Sequence, residues 1–149
     1  MPSRNPLTTV APARILLVDD NAHGLSARRS VLEELGATIA TASSASDALD
    51  LLAAQPFDLV VTDYKMPRMN GVELIARVRK QFPGLPVILI SGFVDSLGLS
   101  EDTTGADVVI QKSNNEVAHL VRAVSRLLRK RKPVQSQKRT HSAATGRAR

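Results

Sequence analysis

At 149 residues, with 43% hydrophobic and 23% charged side chains, the chain is long enough for one domain with a real core. It has no cysteine, which rules out disulfides, a thiol nucleophile and thiolate metal sites, and its three histidines make no zinc pattern, so any metal must be held by oxygen. The net charge of +6 conceals two regions: Arg129 to Arg149 carries eight Lys or Arg and no acid, while the remaining positions hold 12 basic and 14 acidic residues. That distribution argues against a basic groove built into the fold. No apolar run reaches the roughly 18 residues of a membrane span, and MPSRNPLTTVAPA lacks the apolar core of a secretory signal. A cytoplasmic protein with no membrane partner is expected.

Residues 1–12 include three prolines and read as a flexible lead. ILLVD (15–19), TIAT (38–41), DLVVTD (58–63), PVILIS (86–91) and DVVI (107–110) are short, largely β-branched runs that predict five strands buried on both faces. Helical patterns separate them. Leu25, Leu32 and Leu35 share a face and stop at Gly36; Ala45, Ala48, Leu49 and Leu52 follow Ser44, with Asp47 three residues on. Asn70 with Glu73 predicts a capping box leading into Ile75, Val78 and Phe82. Ser113 with Glu116 predicts another ahead of Val117, Leu120, Val121, Val124 and Leu128. FVDSLGLSEDTT (93–104) has a central Gly98 and only Leu97 and Leu99 as anchors, which predicts a short or frayed helix. Strict alternation of strand and helix implies an α/β fold with a doubly wound parallel sheet, whose ligand crevice lies at the carboxyl ends of the strands.

Asp19 and Asp20 end the first strand run, Asp63 the third and Ser91 the fourth, while Lys112 follows the fifth. By the crevice rule they share one rim. Three close carboxylates repel unless a cation sits among them, and a hard divalent ion such as Mg²⁺ with oxygen ligands fits. An ammonium and a hydroxyl beside them suit an anion with several oxygens, as in phosphoryl transfer, with Asp63 as the nucleophile.

LLVDD (16–20), DYKMPRMNG (63–71), LIS (89–91) and GADVVIQK (105–112), in this order at successive strand ends, resemble the receiver domain of a two-component response regulator. The resemblance covers about residues 13–130 and implies a flavodoxin-like, five-stranded sheet of order 2-1-3-4-5. It implies a phosphoacceptor at Asp63, a direct Mg²⁺ ligand at Asp20, a mainly water-mediated one at Asp19, and a further ligand in the Lys65 carbonyl. Lys112 would pair with the phosphoryl group, and Ser91 would move inward and donate a hydrogen bond to it. Met66, Pro67 and Gly71 shape the loop after the acceptor. The implied donor is a sensor histidine kinase or histidine phosphotransfer protein, and the implied product is a switch that binds a downstream protein or passes the phosphoryl group on. On this reading the chain is a monomer or weak homodimer, apparently stand-alone, and a phosphoacceptor rather than an enzyme acting on other substrates.

Two positions depart from the family pattern. Val109 stands where an aromatic residue usually changes rotamer on activation, and Ser113 where proline usually follows the lysine in a cis peptide. The bond before Ser113 is therefore expected to be either trans with an altered loop or strained, because a non-proline cis bond costs about 2.5–4 kcal/mol. Lys65 and Phe93 flank the path of water to the acceptor. These departures define the alternative reading, a phospho-independent receiver-fold interaction module. A metal-dependent phosphatase is disfavoured, since Lys65 occupies the place of the second carboxylate such an enzyme uses. The basic segment 131–149 is expected to be a disordered tail. It has no aromatic residue to stack bases and no helix-turn-helix pattern, so nucleic-acid binding through it is disfavoured. His23, His119 and His141 are assigned no role.

Overall fold

The computed structural model describes residues 12–130. The expected lead (apart from Pro12) and the basic tail lie outside the described residues, as does His141. The elements run β1 (Arg14–Val18), α1 (Ala22–Glu34), β2 (Thr38–Ala42), α2 (Ala45–Ala54), β3 (Leu59–Asp63), α3 (Gly71–Gln81), β4 (Val87–Ser91), α4 (Val94–Leu97), α5 (Glu101–Thr104), β5 (Val108–Gln111) and α6 (Glu116–Arg129). All strand pairs are parallel and the order is β2-β1-β3-β4-β5. The predicted doubly wound α/β sheet is thus observed, with the strand order that the resemblance implied.

Pleating divides the strand residues between two cores. Leu16, Val18, Val60, Val87 and Leu89 face one side and pack with Ala48 and Leu52 of α2 and Leu74, Ile75 and Val78 of α3. Ile15, Leu17, Leu59, Val61, Ile88 and Ile90 face the other, against Leu32 of α1 and Leu120, Ala123 and Val124 of α6. Because both faces are covered, the strands read as unbroken apolar runs rather than alternating ones. Burying one such Leu or Ile side chain contributes about 1.5–3 kcal/mol, so these two layers supply most of the drive to fold.

Helix ends follow the chemistry of their caps. The Asn21 side chain accepts the amides of His23 and Gly24 at 2.9 and 3.2 Å, and Ser44 accepts that of Asp47 at 3.0 Å. Asn70 and Glu73 form the predicted reciprocal box, 2.9 Å in each direction. Gly36 follows α1 with φ of 102°, a conformation that glycine adopts without a Cβ penalty.

The predicted box at Ser113 is not formed. Ser113 Oγ instead accepts the Asn115 amide at 3.1 Å, α6 begins at Glu116 with no side-chain cap, and the Glu116 carboxylate is drawn to Arg28. Val117, predicted on the inward stripe of α6, is exposed, while Leu120 and Val124 are fully buried. The interval 93–104 forms two single turns, α4 and α5, separated by Gly98 at φ of 64°. Leu97 is exposed and Leu99 packs on the core, which leaves one apolar anchor where a longer helix needs several.

Candidate functional site

The chain leaves β1 toward β2 on one side of the sheet and later returns to β3 on the other, so the carboxyl ends of β1 and β3 flank the switch point of the topology. Asp19 directly follows β1 and Asp63 is the last residue of β3. Asp19 remains tied to the sheet, its amide donating to the Ala42 carbonyl at 3.1 Å. Two further backbone bonds gather the neighbouring strand ends: Tyr64 N–H to the Ile90 carbonyl at 2.9 Å, and Lys112 N–H to the Ser91 carbonyl at 2.9 Å. The six residues singled out in the sequence, Asp19, Asp20, Asp63, Lys65, Ser91 and Lys112, line one open cleft of about 650 Å³.

The loop after β3 explains its unusual composition. The Gly71 amide donates to the Tyr64 carbonyl at 2.7 Å, and a Cβ on Gly71 would stand 2.4 Å from the Asp63 carbonyl oxygen and 2.8 Å from Leu89. Only glycine lets α3 begin this close to the end of β3. Met69 N–H donates to the Pro67 carbonyl at 2.8 Å around Arg68, whose φ of 70° makes a tight three-residue turn. Met66 is buried in the core beneath the loop.

Oxygen atoms of Asp19, Asp20 and Asp63 lie within 4.8 Å of one another, with Asp19 and Asp63 buried and Asp20 exposed. Lys112 Nζ lies 2.6 Å from Asp63 Oδ1. At that distance the ammonium is the partner of the buried Oδ1, a short charge-assisted contact across the cleft. The other oxygen, Oδ2, accepts the Lys65 amide at 3.1 Å. An oxygen-only donor set of three close carboxylates, two of them buried, fits a hard divalent cation. Burial pushes the Asp63 carboxyl above the usual carboxylate range; Lys112 opposes this, and the negative charge of Asp19 adds to it.

Ser91 is buried and its Oγ accepts the Phe93 amide at 2.9 Å, which leaves the hydroxyl hydrogen for a further acceptor. Lys65 Nζ sits 5.6 Å from the centre of the exposed Phe93 ring, so these two side chains meet across the mouth of the cleft. The Lys112–Ser113 peptide is trans, as are all described peptide bonds. Val109 is half-buried, and its amide donates to Glu101 Oε2 of α5 at 2.9 Å.

Sequence reasoning missed Arg28. Its side chain is 7% exposed, its Nη1 donates to Asp19 Oδ2 at 2.8 Å and its Nε to Glu116 Oε2 at 2.8 Å. Burial disfavours the cation, but the hydrogen bond and charge of Glu116, with those of Asp19, outweigh it and raise the guanidinium pKa. The signal was present: Arg28 lies three residues after Leu25 and four before Leu32, on the stripe that otherwise faces the core.

Over residues 15–125 the chain matches the family described as response regulator receiver domain. It is 39% identical over 84 residues to the hydrogenase transcriptional regulatory protein HoxA of Cupriavidus necator, covering 56% of this chain and 17% of that protein. To the regulator of RpoS of Escherichia coli it is 40% identical over 78 residues, or 52% of this chain and 23% of that protein. The chain thus spans roughly a fifth of the length of these curated relatives. Among solved structures, the receiver domain of a Francisella response regulator superposes with a TM-score of 0.73 at 27% identity, covering 80% of this chain and 99% of that one. The response regulator TrrA of Thermotoga maritima, in complex with Mg²⁺ and a beryllium fluoride, gives 0.70 at 32% identity, covering 78% and 99%. Taken with the sheet order and the acid cleft at its switch point, the match over most of its length means that this chain belongs to the response regulator receiver domains of two-component signalling.

Proposed function

We propose that the chain is a Mg²⁺-dependent phosphoacceptor switch in which Asp63 takes a phosphoryl group from a phosphohistidine on a sensor kinase or phosphotransfer protein. The observation that carries this reading is the setting of Asp63: a buried carboxylate at the end of β3, its Oδ1 2.6 Å from the Lys112 ammonium and beside two further carboxylates. A carboxylate at the floor of an open cleft, held beside an ammonium, can act as a nucleophile toward phosphorus. As it bonds to phosphorus, the donor's P–N bond breaks and the imidazole leaves with the bonding pair. Lys112 then follows the charge from the carboxylate to the phosphoryl oxygens, and Ser91 supplies its free hydroxyl hydrogen to another of them. Asp19, Asp20, Asp63 and the Lys65 carbonyl would hold the Mg²⁺, which when bound neutralises charge between the carboxylates and the incoming phosphoryl group.

On this reading the protein transforms no separate substrate. Its acyl phosphate hydrolyses back to Asp63 and phosphate, and the stacked Lys65 and Phe93 side chains stand on the route by which water reaches it. Output would run through α4, α5, β5 and α6. Val94 N–H to Gln111 Oε1 at 3.2 Å and Val109 N–H to Glu101 join the short helices to β5 there without the usual aromatic rotor.

Intact mass after incubation with Mg²⁺ and acetyl phosphate, beside an Asp63→Asn variant, tests the proposal. A single phosphoryl adduct in the wild type that is absent from the variant and from metal-free buffer is expected. A folded wild type that takes up no adduct would support the phospho-independent module instead.

A further inference from the structure

We propose that Arg28 is a built-in counter-cation of the acid cleft: a positioning residue that tempers divalent-metal affinity at Asp19 and ties the occupancy of the cleft to the first turn of α6 through Glu116. The inference rests on the reading of Asp19, Asp20 and Asp63 as the metal site.

A buried guanidinium is costly unless its donors are matched to anions. Arg28 meets that condition twice, with different nitrogens of its fork: Nη1 on Asp19 and Nε on Glu116, each at 2.8 Å. The first turn of α1 makes room for the pair. A Cβ on Gly24 would lie 2.7 Å from Asp19 Oδ2 and 3.6 Å from Arg28 Nη1, so glycine here lets the ion pair form beneath the helix. Asp19 Oδ1 accepts the Asn21 amide at 2.9 Å, so both oxygens of Asp19 are engaged.

Asp19 is therefore shared between an internal cation and any external one. A divalent ion entering beside Asp19 meets the positive charge of Arg28 and weakens its hold on Asp19 Oδ2. The guanidinium then leans further on its second anion, Glu116. Glu116 is the first residue of α6 and lies 88 residues from Arg28 in sequence, so this shift in pairing acts at the start of the helix that packs beside α1 on the same face of the sheet. A lysine at position 28 would keep the charge but could not hold both carboxylates through two arms.

The test is calorimetric titration of Mg²⁺ alone into the full chain, comparing wild type with R28M, R28K and E116Q, together with ¹⁵N amide shifts along α6. R28M removes the competing charge and is expected to tighten Mg²⁺ binding about three- to tenfold while abolishing the metal-induced shifts at Glu116–Leu120. E116Q leaves Arg28 with Asp19 as its remaining partner and is expected to weaken binding. R28K is expected to restore wild-type affinity without restoring the α6 shifts. Opposite signs for R28M and E116Q are what a purely structural role would not give. E116Q changes a partly exposed helix start and leaves a folded protein to measure even if R28M unfolds. Unchanged or weaker binding in folded R28M, or unchanged binding in E116Q, overturns the inference. A wild type that binds no Mg²⁺ overturns the metal-site reading as well, whereas normal wild-type binding with unaltered variants overturns this inference alone.

Discussion

Lys112 Nζ and Asp63 Oδ1 stand 2.6 Å apart, joining the loop after β5 to the end of β3. On the proposed reading the ammonium stabilises charge that moves from the carboxylate to a phosphoryl group. Lys112→Ala is expected to slow phosphoryl loading from acetyl phosphate by about ten- to a hundredfold, read as the rate of adduct growth by mass. Lys112→Arg should rescue it poorly, because a planar fork does not reproduce a compact point charge. Loading at the wild-type rate in Lys112→Ala would remove Lys112 from the chemistry.

Asp63 also leaves a signature in stability. Its carboxyl titrates above the unfolded value, chiefly because it is buried, so the native state holds the proton to higher pH than the unfolded chain does. At neutral pH folding must therefore bury a charge, and that penalty is relieved as pH falls through the folded pKa toward the unfolded one. In metal-free buffer Asp63→Asn is expected to raise Tm at pH 7–8, and the advantage should shrink as pH is lowered toward about 4. An advantage that grows on acidification would contradict the raised pKa.

Metal should stabilise the native state by mass action. At a free Mg²⁺ concentration ten times Kd the gain is about 1.4 kcal/mol. Asp20→Asn removes an exposed member of the acid cluster without opening the core, so it should leave Tm in chelator nearly unchanged while abolishing most of the Mg²⁺-dependent rise. Thermal unfolding with and without Mg²⁺ reads both quantities. A full rise in the variant would move the ligand role elsewhere.

Two glycines separate steric need from incidental occurrence. Gly71→Ala drives a Cβ to 2.4 Å from a backbone oxygen and should cost about 2–4 kcal/mol, while Gly84, with nothing within 4 Å of its Cβ direction, should accept alanine with little change. Urea unfolding of the two variants makes the comparison. Equal effects would mean that α3 does not need its close approach to β3.

The five strands and the acid cleft were legible because each rests on local, unbroken signals. Strands covered on both faces read as apolar runs, and the doubly wound topology brings residues at their carboxyl ends together without further information. The inward position of Arg28 is legible from its place on the Leu25–Leu32 stripe, but its role is not, because its partners Asp19 and Glu116 lie on two other segments of the chain. For the same reason local spacing pairs Glu116 with Ser113 as a cap, whereas the folded chain offers it a buried cation. Asp58 and Asp107 show the converse. They accept the amides of Arg14 and Val87, each at 2.8 Å, so these carboxylates are engaged by backbone at the opposite end of the sheet from the cleft. What tells them apart from Asp63 in sequence is only which end of the strand they occupy.

The central claim is that Asp63 itself carries the phosphoryl group, and the most direct measurement is borohydride trapping of the protein after Mg²⁺ and acetyl phosphate, followed by peptide mass mapping. Reduction of an acyl phosphate at Asp63 leaves homoserine at that position alone, which is the predicted result. Homoserine at Asp19 or Asp20, or no reduced residue in a protein that binds Mg²⁺, would contradict the account.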